Sequence, residues 1–128
     1  MSGWDPSAAD LVELLAHAAR GPRREGVYAV WLTLRVAQDL QLEPPPVERA
    51  LRRRLGALEQ RLSSLTIPPP LRRALTGALA QMRDPPASAT AAVTTALVLT
   101  QLVAPARECL GKDAGDALAR AARAARSR

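Results

Sequence analysis

Side chains suited to nucleophilic or acid–base chemistry are few in this sequence. The chain of 128 residues has one histidine, His17, and one cysteine, Cys109, which are far apart in the sequence. A cysteine paired with a histidine can act as a nucleophile, but a lone histidine and a lone cysteine are far more often structural. The sequence therefore predicts that the protein is not an enzyme.

The sequence also gives little support for a metal site or a phosphate-binding loop. Asp10, Glu13 and His17 recur at helical spacing, but a metal site needs three or four converging ligands, and a solvated polar edge is the simpler interpretation. Gly21 and Gly26 flank a short basic stretch that matches no phosphate-binding loop. We therefore predict no metal, no cofactor and no small-molecule substrate.

The basic residues are the more informative set, because they are unevenly distributed. The chain has 18 basic and 12 acidic side chains, and every basic residue except Lys112 is an arginine. Residues 49–83 hold eight basic and one acidic side chain, and residues 120–128 hold four arginines, whereas the rest of the chain is net acidic. Alanine, proline and arginine share GC-rich codons, so composition bias accounts for part of this excess.

A concentrated basic region is typical of a protein that binds an acidic partner. The leading hypothesis is a non-enzymatic protein–protein interaction module, a small adaptor or scaffold subunit that docks through a basic helix face. Its partner would be another protein, in a hetero-complex or a homo-oligomer. The candidate partner-binding residues are Arg49, Arg52, Arg53, Arg61, Arg72, Arg73 and, as an apolar anchor, Trp4.

The alternative is a nucleic-acid-binding protein that uses the same arginines on phosphates. The tail would then contribute Arg120, Arg123, Arg126 and Arg128. Only three aromatic residues are present, which is few for a protein that stacks bases. The turn at residues 66–70 is filled with prolines and lacks the glycine often found in a helix-turn-helix.

The elements that must position these arginines are predicted to be helices. Apolar residues recur at helical spacing between proline-rich breaks, and no segment alternates as a strand does. We expect an all-α fold, a compact bundle of five to six helices joined by short proline-rich loops. The predicted helices cover residues 6–19, 24–40, 46–65, 69–82 and 88–103, with a last segment from a break at Pro105.

The apolar stripes predict which faces are buried. Leucines at 51, 55, 58, 62 and 65 form a short heptad seam, either in the core of this chain or against another chain. Trp31 is predicted to be a core residue. The uncharged helix 88–103 is placed at the centre of the bundle, with a stripe of Val93, Ala96, Leu97, Thr100 and Val103.

Composition also predicts the domain organisation and the compartment. We expect one helical domain over residues 1–119 and a basic tail, 120–128, that continues the last helix and is either loosely docked or frayed. A single cysteine excludes an internal disulfide, and the N-terminus lacks the pattern of a signal peptide. The prediction is an intracellular protein, cytoplasmic or nuclear, with no membrane partner.

Overall fold

The helical architecture follows the predicted segments closely. The computed structural model describes residues 23–39, 47–85 and 90–126. Within them lie five α-helices and no strand: α1 Arg24–Asp39, α2 Glu48–Ser63, α3 Pro69–Arg83, α4 Ala91–Leu110 and α5 Lys112–Arg126. The all-α class is confirmed for these residues. The predicted helix 6–19 and the prolines at 44–46 lie outside the described residues.

Helix α4 occupies the centre of the bundle and packs against α1, α3 and α5. Its first turn is closed by Thr90, whose hydroxyl accepts the Val93 N–H at 3.1 Å, so the helix begins slightly later than predicted. Residues 91–106 carry no charged side chain. The central position predicted for this segment is confirmed.

The stripe predicted on α4 is buried only in part, since Ala96 is buried, Leu97 and Val103 are partly buried, and two members are exposed. Val93 is 48% exposed and Thr100 is also exposed, whereas Val98, Leu99 and Leu102 are completely buried. A helix with small or apolar residues on every side offers little contrast between faces, so the helical period alone does not select one. The positions of the neighbouring helices decide which side is buried.

The leucines of the heptad seam on α2 and a leucine stripe on α3 are buried. The fully enclosed members are Leu55, Leu58, Leu62, Leu71, Leu75, Leu79 and Met82. Leu51 and Leu65 are partly buried and pack against the same core. The heptad seam therefore serves the core of this chain, which was one of its two predicted roles.

Pro105 does not break the helix, and the predicted break there is wrong. It lies inside α4, which continues to Leu110. Proline removes one backbone hydrogen bond and normally destabilises a helix interior by about 3 kcal/mol. Leu102 and Ala106, on either side of it, are completely buried. A chain that left the helix at this point would lose that packing, so tertiary contacts outweigh the local preference.

Helix α5 follows α4 after a single residue, Gly111, and the two pack side by side. Gly111 has φ of +108°, a conformation that favours glycine. Gly115 lies so close to α4 that an added Cβ would stand 2.6 Å from the Cβ of Arg107. These two glycines allow the tight turn and the close approach of the two helices.

The C-terminal part of α5 is packed rather than frayed. Ala121, Ala122 and Ala125 are buried and lie on the same side as Leu118. Their small volume permits short distances between helices. This alanine-rich sequence has few large apolar side chains, yet it forms a packed helix that ends at Arg126.

A matched pair of glycine substitutions tests this turn. Gly111→Ala should destabilise the protein by about 1–3 kcal/mol, because its positive φ disfavours a side chain. Gly56→Ala, in an exposed part of α2 with nothing within 4 Å of the new Cβ, should stabilise it by about 0.5–1 kcal/mol. Urea unfolding followed by circular dichroism measures both changes. Equal effects of the two substitutions would contradict the assignment of the turn.

Candidate interaction surface

The outward face of α2 presents the most accessible arginines. The buried stripe Leu55–Leu58–Leu62 fixes the rotation of the helix. At about 100° per residue, Arg49 and Arg53 fall on the opposite side. Both are exposed, and neither makes a hydrogen bond or ion pair within the structure described above. The bundle thus holds two adjacent guanidinium groups in solvent.

Arg52 lies beside them and is only locally paired. Its Nη2 is 2.6 Å from Glu48 Oε1, one turn earlier on the same helix, and both side chains are highly exposed. Exposed pairs of this spacing contribute only about 0.3–0.5 kcal/mol. An incoming carboxylate can therefore replace Glu48 as the partner of Arg52 at small cost.

Arg61 faces α1 and belongs to an aromatic cluster. Its guanidinium lies 5.8 Å from the centre of the Tyr28 ring, and its Nη2 donates to the Tyr28 hydroxyl at 2.9 Å. Tyr28 stacks on Trp31 with ring centres 5.9 Å apart, and Arg35 lies 5.0 Å above the Trp31 ring. We call Arg61, Tyr28, Trp31 and Arg35 the aromatic ladder.

The ladder was missed by reasoning from sequence. Trp31 was predicted to be a core residue, but it is only partly buried and stands outside the buried cluster. The spacing of Tyr28, Trp31 and Arg35 on one face of α1 was a usable signal. The contact with Arg61, 33 residues from Tyr28, required the packing of α1 against α2.

Arg72 has an intramolecular role. Its two terminal nitrogens each lie 3.3 Å from the Leu62 carbonyl oxygen, and Nη2 also donates to the Leu65 carbonyl at 2.7 Å. The last carbonyls of a helix lack helical partners, and Arg72 satisfies those at the end of α2. The neighbouring Arg73 points away, is exposed and makes no contact within the described ranges.

Three further ion pairs join neighbouring helices. They are Arg54–Asp39 at 2.7 Å between α2 and α1, Arg83–Glu59 at 2.8 Å between α3 and α2, and Arg107–Asp116 at 3.2 Å between α4 and α5. Of the six basic residues predicted on α2 and α3, the structure gathers Arg49, Arg52 and Arg53 on one face. It places Arg61 in the ladder, Arg72 at a helix end and Arg73 elsewhere.

The remaining predicted residues lie at the two ends of the chain. Arg120 and Arg123 are exposed on α5, but each is engaged in a contact, so neither is a free cation. Arg126 ends α5. Trp4 and Arg128 lie outside the described residues.

The structure does not test whether the histidine and the cysteine form a catalytic pair. Cys109 is partly buried on α4. His17 lies outside the described residues, as do Asp10 and Glu13. Among the residues with assigned positions, no three histidine, cysteine or acidic side chains are grouped as metal ligands. In the same residues, no helix is long and apolar enough to cross a bilayer.

The chain matches no known family model, no curated protein and no solved structure. The function is therefore argued from the geometry of its own side chains.

Arg72 and Arg73 are adjacent in the sequence, so substituting each one tests whether only Arg72 stabilises the fold. Arg72→Met should lower the free energy of unfolding by about 1–3 kcal/mol, because the Leu65 carbonyl loses its charged donor and the Leu62 carbonyl keeps only the Leu65 N–H. Arg73→Met removes the same charge from a solvated position and should change it by less than about 0.5 kcal/mol. Thermal and urea unfolding measure both. A similar loss in the two variants would show that Arg72 has no special structural role.

Proposed function

We propose that this protein is a non-enzymatic protein–protein interaction module, a small adaptor or scaffold subunit that binds an acidic partner through the outward face of α2. The observation that carries the proposal is the pair Arg49 and Arg53, which are exposed on adjacent turns and have no hydrogen-bond or ion-pair partner among the described residues. Arg52 adds a third guanidinium on the same face. Elsewhere on α2, Arg54 pairs with Asp39 of α1, and Arg61 donates to the Tyr28 hydroxyl of α1.

The spacing on α2 suits a partner with regularly placed carboxylates. Positions four residues apart lie about 6 Å apart along a helix axis. Arginine binds carboxylates through two parallel N–H donors, so the contact is directional as well as electrostatic. Because these groups stay hydrated before binding, the charges mainly speed and orient the encounter. We therefore expect a reversible complex whose affinity falls with salt.

A protein partner is favoured over a nucleic acid by the surroundings of these arginines. Glu48 and Glu59 are exposed on the same helix and interrupt its basic surface, which suits separate carboxylates better than the unbroken charge of a phosphate backbone. Two arginines of the proposed basic tail, Arg120 and Arg123, already have contacts of their own. A duplex DNA titration of the same variants detects nucleic-acid binding through Arg49 and Arg53.

The proposal that the protein is not an enzyme and acts inside the cell rests on composition. A single histidine and a single cysteine supply little for catalysis, and one cysteine allows no internal disulfide. A protein of this kind would need no cofactor.

A pair of charge-matched double variants tests the docking face. Arg49→Ser/Arg53→Ser removes two charges from the proposed surface, and Arg24→Ser/Arg73→Ser removes two from exposed, unpaired positions on α1 and α3. The probe is a helical peptide with glutamates four residues apart, titrated at physiological ionic strength. The first variant should weaken binding about tenfold, since two contacts of up to about 1 kcal/mol each are lost.

The control should change this affinity by about twofold or less. An equal loss in both variants would mean that only the net charge matters, and it would overturn the proposed face. A duplex DNA titration runs in parallel. If the wild type prefers the duplex and only Arg49→Ser/Arg53→Ser abolishes that binding, the surface is a nucleic-acid interface and the proposal is wrong.

A further inference from the structure

The aromatic ladder combines the side chains that most often anchor protein interfaces. Tryptophan, tyrosine and arginine are enriched among residues that dominate binding energy. Tyr28 and Trp31 are only partly buried, while Arg35 and Arg61 are exposed at the two ends of the stack. The ladder is therefore open to solvent along the junction of α1 and α2.

The two arginines of the ladder lack carboxylate partners. Arg54 and Asp39 lie at the same junction and form an ion pair at 2.7 Å. Arg35, by contrast, contacts only the Trp31 ring, and Arg61 contacts only Tyr28, within the part of the chain that the structure places. Each positive charge is left uncompensated.

Stacking against the rings holds these guanidinium groups in place before any partner arrives. A planar guanidinium over an aromatic ring keeps its N–H edge free to donate to an anion. Groups that are already ordered lose less conformational entropy on binding. The ladder thus presents two oriented anion-binding groups separated by apolar ring surface.

The ladder is continuous with the arginines of the outward face. Arg49, Arg53, Ala57 and Arg61 follow one another at intervals of four residues along α2. Each step of four turns about 40° around the helix, so this ridge passes from the outward face toward α1. It spans about 18 Å and ends where Arg61 meets Tyr28.

We infer that the ladder is the anchoring end of the docking surface, and that its occupant is an acidic protein helix lying along this ridge. Carboxylates of the partner meet Arg53, Arg61 and Arg35, and an apolar side chain of the partner covers the exposed part of Trp31. The inference rests on the proposed function and names the chemistry of its partner. A single-stranded nucleic acid fits poorly, because Tyr28, Arg61 and Arg35 already occupy faces on which bases would stack.

The test uses the full chain and a helical peptide with glutamates four residues apart and one central leucine. The same peptide with glutamine in place of glutamate is the charge control. In two-dimensional NMR, the acidic peptide should shift the assigned indole N–H signal of Trp31, and the glutamine peptide should leave it unchanged. Arg35→Gln/Arg61→Gln should weaken binding at least fivefold, whereas Arg24→Gln/Arg73→Gln should weaken it no more than twofold.

The outcomes separate this inference from the proposed function. If Arg49→Gln/Arg53→Gln weakens binding but the ladder variant does not, and Trp31 is unperturbed, the ladder is not part of the surface and the inference fails alone. If neither variant differs from the control, both proposals fail. A Trp31 shift produced by duplex DNA but not by the peptide also overturns the inference. Should the double variant unfold, Arg35→Gln keeps the Arg61–Tyr28 hydrogen bond and supports the same comparison.

Discussion

The burial of α4, which carries no charge before Arg107, is the constraint on which the rest of this structure depends. Residues 91–106 offer no charge and many small side chains, so α4 is stable only where other helices cover it. α1, α3 and α5 do so, and alanines and Gly115 allow α5 to come close. Without phenylalanine, the core gains its packing from leucines and from short distances between helices.

That arrangement sorts the arginines into two groups. Those at helix junctions satisfy local needs: Arg72 caps α2, Arg54 and Arg83 pair with acids on neighbouring helices, and Arg23 donates to the Leu110 carbonyl at 2.9 Å. The side chains of Arg24, Arg49, Arg53 and Arg73 make no hydrogen bond or ion pair within the described residues. A net charge of +6 therefore matters less than the few guanidinium groups that folding leaves uncompensated, because only these can attract a partner.

Much of the fold could be read from periodicity. The segments 24–40, 46–65 and 69–82 correspond to α1, α2 and α3, since in each the apolar residues recur at helical spacing between proline-rich breaks. The prediction was wrong where local and tertiary preferences conflict. Pro105 was expected to end a helix, but burial on both sides of it outweighs its local cost. The stripe chosen for residues 88–103 is buried only in part, because that segment has no charged face to mark the outside.

Periodicity and composition are enough to predict the all-α class, the approximate extent of the strongly amphipathic helices and the concentration of arginine between residues 49 and 83. Those properties depend on local periodicity and on composition, which need no folded neighbour. Helix packing determines which arginines form hydrogen bonds or ion pairs within the bundle. It also brings Arg61 against the Tyr28–Trp31 stack. The state of a charged side chain depends on what lies within a few ångströms of it, and helix packing brings together residues far apart in the chain.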